Sequence, residues 1–148
     1  ITVRSNNQEI RDQLLDGIDR VAEGVAVSMG VPKDLMPEVI RSKTETTPPT
    51  INDRETAERV RAAINTAMGD GVLIEKPREG MGAEDFAYFV TPDTGVKGVY
   101  FNVGGTPEKD VKDAPSHHSP FFKIRPEPSI KAGVEAMTVS AIALFNGE

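Results

Sequence analysis

Cysteine is absent from the 148-residue chain. That excludes a disulfide framework and any thiolate zinc site, and it leaves the redox compartment open. No apolar run approaches the ~20 residues needed to cross a bilayer, so no membrane partner is expected. Basic residues are in the minority, 17 Lys and Arg against 23 Asp and Glu, for a net charge of -6. Phosphate binding needs clustered Lys and Arg, so this balance argues against nucleic acid as the main partner. No signal peptide is visible, and the chain opens at Ile1 rather than Met, in what reads as the middle of a strand. The expectation is a fragment of a longer, soluble protein of undetermined compartment, with the cytoplasm slightly favoured. What the chain does have is 38% hydrophobic and 27% charged residues. That composition supports a globular core and argues against wholesale disorder. The length suits one ordinary domain or two small pieces.

Residues 1–4 alternate apolar and polar and predict a short strand. Asn6 and Glu9 fit a capping box, opening a helix with Ile10, Leu14, Ile18, Val21, Val25 and Met29 on one stripe. Gly30 supplies the stop. Residues 38–46 are β-branched and alternating and predict a second strand. The Pro48-Pro49 stretch that follows has linker character, and 47–51 forms the expected domain boundary. A second capping box, Asn52 with Glu55, opens a helix with Ala57, Val60, Ile64, Ala67 and Met68 as its apolar face and Gly69 as its end. Further on come a short strand at 72–75, a glycine turn at 80–82, and a short helix at 84–90 that packs Phe86 and Phe89. A buried strand at 98–103 and a polar loop at 104–116 lead to a last helix from about Ser129. Ile130, Val134, Met137, Ala141 and Phe145 form its apolar face. Alternating strands and helices predict an α/β or α+β layered fold.

Three places could carry chemistry. The two histidines are adjacent, in Ser116-His117-His118-Ser119-Pro120-Phe121-Phe122. Neutral imidazole is the commonest metal ligand. Neighbouring side chains on extended chain diverge, so at most one of the pair should face a given site. Pro120 restricts Ser119, and the two Phe residues would pin the loop to a core. A surface pair, or one histidine hydrogen-bonded in the core, explains the same residues, and spacing alone favours that plainer reading. In Met81-Gly82-Ala83-Glu84-Asp85-Phe86, two carboxylates open a short helix, where the helix dipole stabilises acids without any function. A pocket lined by this loop and helix start, with Glu84 or Asp85 near a cation, is the equal alternative. Arg4, strand-borne, could grip a carboxylate through two parallel hydrogen bonds, although most such arginines face solvent. Asn52 reads as a helix cap, and Asn102 with Gly104-Gly105 could lie at a site mouth or form a plain turn.

Taken in order, Thr-Val-Arg-Ser, Pro-Pro-Thr-Ile-Asn-Asp, Met-Gly-Ala-Glu-Asp-Phe-Ala-Tyr-Phe, Gly-Val-Tyr-Phe-Asn-Val-Gly and His-His-Ser-Pro-Phe-Phe resemble one family. It is the co-catalytic metallopeptidase and amidohydrolase family of aminoacylases, hippurate hydrolases and carboxypeptidase G. The Met-Gly-Ala-Glu-Asp-Phe form looks closest to the hippurate and auxin-conjugate hydrolases. The resemblance covers essentially the whole chain. It implies that 1–51 is the second half of a ferredoxin-like lid or dimerisation domain. Residues 52–148 would be the C-terminal part of a three-layer α/β/α catalytic domain. It implies His118 as the last metal ligand, with His117 not carried over. Arg4 would be the lid arginine that holds the substrate carboxylate, and Glu84 and Asp85 would lie near the pocket.

The same resemblance implies two divalent ions, most often zinc, an N-acyl amino acid or small peptide as substrate, and a homodimer. The family's His-x-Asp motif and adjacent Glu pair, which supply the other ligands and the general base, are not in this chain. The expectation is therefore a fragment that is inactive by itself and completed by the N-terminal part of the same protein. The competing class is a non-catalytic dimerisation or protein-binding module.

Overall fold

The structure, a computed structural model, describes residues 1–44, 46–76, 80–82 and 84–146. Its regular elements are three long helices: α1 (Gln8–Ser28), α2 (Arg54–Met68) and α3 (Pro126–Phe145). Short 3-10 segments lie at Lys33–Leu35, Asp85–Phe89, Pro92–Thr94 and Glu108–Asp113. The chain divides into two units, Ile1–Ile51 with Pro77–Val96 and Asn52–Lys76 with Lys97–Glu148.

In the first unit the cap of α1 sits one residue beyond the expected one. Asn7, not Asn6, takes the extended conformation, and its side chain accepts from the Ile10 amide at 3.2 Å. The Ser5 hydroxyl accepts from the Asn7 amide at 3.1 Å and so fixes the entry to the helix. Gly30, at φ 70, ends it as expected. Of the predicted stripe, Ile18 is half-buried, while Ile10, Leu14, Val21, Val25 and Met29 are exposed. The buried residue of α1 is the small Ala26. Arg41 ties its segment back to α1 by bridging Asp16, at 2.9 Å, and Asp19. The Tyr88 hydroxyl donates to the Thr46 carbonyl, and Ala87 is fully covered. Phe86 is half-buried, but Phe89, expected to pack with it, is exposed.

The second unit is organised by α2 against α3. Val60 and Ile64 of α2 and Ala136 of α3 form its buried centre, with Met68, Leu73, Val99, Phe101 and Val139 packed around it. On α2 most of the predicted face is covered: Val60 and Ile64 are buried and Ala57 and Met68 half-buried, while Ala67 is exposed. On α3 it is not: Val134 and Met137 are each 61% exposed, while Ala136 and Ser140 are covered. Small residues let the two helix backbones approach, and the larger ones are left outside. α3 also begins three residues before Ser129, with Pro126 in the first turn, where a missing N–H costs nothing.

The segments 1–4, 38–46, 72–75 and 98–103, expected as strands, form none among the described residues; Glu45 lies outside them. A strand exists by pairing its backbone groups with a neighbour, and alternation in the sequence names a buryable face without naming that neighbour. The three-layer sheet and the ferredoxin-like half-lid are accordingly not seen among the described residues. Segment 98–103 was expected to be buried on both faces. Its first four residues are half-buried, and Asn102 and Val103 are exposed. What holds it is a side chain acting as a neighbour. The Asn52 amide accepts from the Tyr100 N–H and donates to the Tyr100 carbonyl, both at 2.8 Å, and the Asp53 amide donates to Gly98 at 3.0 Å.

Candidate functional site

His118 lies in a tight turn. The Ser119 amide donates to the Ser116 carbonyl at 2.8 Å, which makes His117 and His118 the two central residues. The Ser116 hydroxyl accepts from the His118 amide at 3.3 Å. A second turn follows at once, with the Phe122 amide donating to the Ser119 carbonyl at 3.0 Å and the Phe121 amide to the Ser119 hydroxyl at 3.1 Å. Serine hydroxyls thus hold both turns by local hydrogen bonding, as short polar side chains do. Because the backbone turns, the two imidazoles do not diverge as extended chain would require. Their ring centres are 4.3 Å apart, and the His117 ring meets Phe122 edge-on at 6.4 Å. Both histidines are exposed.

Phe121, expected as an anchor to a core, is 73% exposed and anchors nothing there. The hold on the loop comes instead from its neck. The Arg125 amide donates to the Gly105 carbonyl at 3.0 Å, and a Cβ built on Gly105 would lie 2.9 Å from Ile124 Cγ2. Arg125 is in turn the residue preceding α3, and its carbonyl accepts from the Ser129 hydroxyl at 2.7 Å.

Arg4 is exposed, and its Nη1 donates to the Met81 carbonyl at 2.9 Å. Two of the expected site segments therefore meet within the first unit. A guanidinium has five N–H donors in a planar fork, so a bond to Met81 fixes the group's orientation and is compatible with gripping a carboxylate. Glu84 precedes the 3-10 segment without a side-chain cap bond, and Asp85 opens it; both are exposed. Ala83 lies outside the described residues. His118 stands in the second unit, and Arg4, Glu84 and Asp85 in the first. Asn52, read as a cap, instead holds Tyr100, and the cap is Asp53, which accepts from the Thr56 amide at 2.9 Å. Hydrogen bonds from the Thr56 hydroxyl and amide, and then the charge of Lys97, hold the Asp53 carboxyl below its ordinary value of 3.8.

A cavity of about 570 Å3 opens beside the His118 loop, walled by Pro107, Lys109, Asp113, Phe121, Lys123 and Arg125. A groove of about 430 Å3 runs between α2 and α3, along Ala62, Ala63, Thr66, Val139 and Ile142. Neither is lined by His118, Arg4, Glu84 or Asp85. Among the described residues no three His, Cys, Asp or Glu side chains gather as a metal site. His118 offers an exposed imidazole on a braced turn, and the described residues do not complete a metal site around it.

Residues 11–142 match the peptidase family M20/M25/M40. The chain belongs to this family. A protein of Bacillus subtilis (strain 168) named as the amidohydrolase YhaA is 32% identical over 132 residues, covering 88% of this chain and 30% of the relative. The chain thus spans under a third of the length of this curated relative. No solved structure matches. Membership points to an α/β fold, of which the described residues show the helices. Among the described residues no helix is long and apolar enough to cross a membrane. What sequence reasoning missed is the neck at Gly105. The glycine pair was a visible signal, but nothing in it named Ile124 as the neighbour.

Proposed function

We propose that this chain is the C-terminal part of a metal-dependent amidohydrolase or peptidase that cleaves the amide bond of N-acyl amino acids or small peptides. On this reading 1–51 is the second half of a lid or dimerisation domain and 52–148 belongs to the catalytic domain. The branch on this reading is that of the hippurate and auxin-conjugate hydrolases, and the assembly is a homodimer. The observation that carries the reading is the braced turn presenting His118, inside a segment matched to the M20/M25/M40 family.

Two divalent ions, zinc by preference, would supply Lewis acidity toward the amide carbonyl and toward water. His118 would hold one of them through a single ring nitrogen, and the turn at Ser116–Ser119 fixes the backbone from which its side chain departs. Arg4 orients the substrate carboxylate through its planar fork, steadied by Met81. Glu84 and Asp85 edge the substrate pocket. The remaining ligands and the general base come from the N-terminal part of the same protein, a division in keeping with the 30% share of the curated relative.

In the full-length protein, His118→Ala should abolish hydrolysis of N-acyl amino acids and lower the zinc content. Unchanged activity would remove His118 from the site. A second reading, a non-catalytic dimerisation or binding module, is favoured by the lack of a gathered ligand set among the described residues. It predicts no effect of metal even when the upstream part is present.

A further inference from the structure

The loop carrying His118 leaves the body of the second unit at Gly105 and returns at Arg125. Residues 106–124 could not hold an imidazole in place without a fixed base, because loop closure costs entropy and free loops sample many conformations. Three observations define that base. The Arg125 amide donates to the Gly105 carbonyl at 3.0 Å, so the two ends are hydrogen-bonded to each other. Ile124 lies against Gly105 so closely that a Cβ there would be 2.9 Å from Cγ2 and 3.4 Å from Cβ of Ile124. Both ends are then fastened to α3. Arg125 is its N-terminal flanking residue, and Val103, two residues before Gly105, lies 3.5 Å from where a Cβ on Gly133 would sit.

We infer that Gly105 is a positioning residue for His118: lacking a side chain, it lets the neck of the loop close against Ile124 and so sets where the imidazole stands. This rests on the proposed reading of His118 as a metal ligand. Gly105 is not needed here for a left-handed backbone, since its φ is not in the positive range. It is needed for the close approach. A methyl group at 105 meets the Cγ2 methyl of Ile124, whose side chain is stiff about χ1, and whose own Cβ is already near. The strain has two exits: the neck hydrogen bond opens, or the loop returns along another path. Either displaces His118, and metal sites are sensitive to such displacement because ligands must be held within a fraction of an ångström.

The test compares Gly105→Ala, His118→Ala and the double variant Gly105→Ala/Ile124→Ala in the full-length protein. Zinc affinity is measured by chelator competition, and exchange of the Arg125 amide is measured on the metal-free protein. Gly105→Ala should weaken zinc binding by roughly 10- to 100-fold, the range seen when groups that orient a ligand are lost. It should speed exchange at Arg125 and lower kcat with KM held. Removing the Ile124 Cγ2 methyl in the double variant should restore affinity and protection together. Wild-type zinc affinity in Gly105→Ala, with His118→Ala impaired, would overturn the positioning role and leave the metal reading standing. Unchanged affinity in His118→Ala would overturn the reading beneath it. Should Gly105→Ala fail to fold, the double variant decides: recovered affinity supports the inference, and a folded double variant with weak zinc binding ends it.

Discussion

At the scale of single residues, local chemistry was legible to within one position. Both long N-terminal caps were sought one residue too early: Asn7 and Asp53 do the work assigned to Asn6 and Asn52. All four are residue types that cap helices, and the local pattern does not say which one has the extended backbone. Asp53 gives a prediction with a definite sign. Its carboxyl is held below 3.8 by the Thr56 hydroxyl and amide, then by Lys97. The folded protein thus binds this proton less readily than the unfolded chain does. The contribution is complete above the unfolded value and is lost as pH falls through the lowered one. Asp53→Asn keeps a side-chain acceptor for Thr56 but removes the titration. Thermal melts of the variant below pH 3.8 should show a shallower acid loss than the parent, and parallel curves would count against the assignment. His118 was also named at this scale, though its presentation was not. Two hydroxyls and a turn bring its ring beside His117, where extended chain would have separated them.

At the scale of elements, α2 and α3 teach opposite lessons. The periodicity of α2 named Val60, Ile64 and Met68, which are the residues that pack. On α3 the same method chose Ile130, Val134 and Met137, and all three are exposed. α3 is apolar over most of its circumference, so its sequence has no contrast from which a single buried face could be read. The face that meets α2 was settled by fit, with Ala136 and Ser140 at the close approach. Two substitutions test this. Ala136→Leu should overpack the contact and cost about 1–3 kcal/mol. Val134→Ala, on the exposed side, should change stability by no more than about 0.5 kcal/mol. Denaturant unfolding of both variants would expose an error if Val134 proved the costlier position.

At the scale of the whole molecule, the segments that alternate like strands find no ladder among the described residues, and the gathered ligands of a metal site are not among them either. The proposed function makes this chain one part of a larger catalytic arrangement. Purified chain 1–148 should therefore bind zinc weakly and show no chelator-sensitive hydrolysis of N-acyl amino acids. Hydrolysis by the isolated chain would overturn the proposal that it is an incomplete catalytic part. The order of residues alone was enough to locate three long helices, to end two of them at Gly30 and Gly69, and to reveal the family through its succession of short motifs. Those are properties of neighbours along the chain, where period, cap and turn chemistry act over a few residues. The buried side of α3, the grip of Asn52 on Tyr100 and the closure of Gly105 on Ile124 emerged only in three dimensions. Each depends on which distant segment arrives close by, and no local pattern records that.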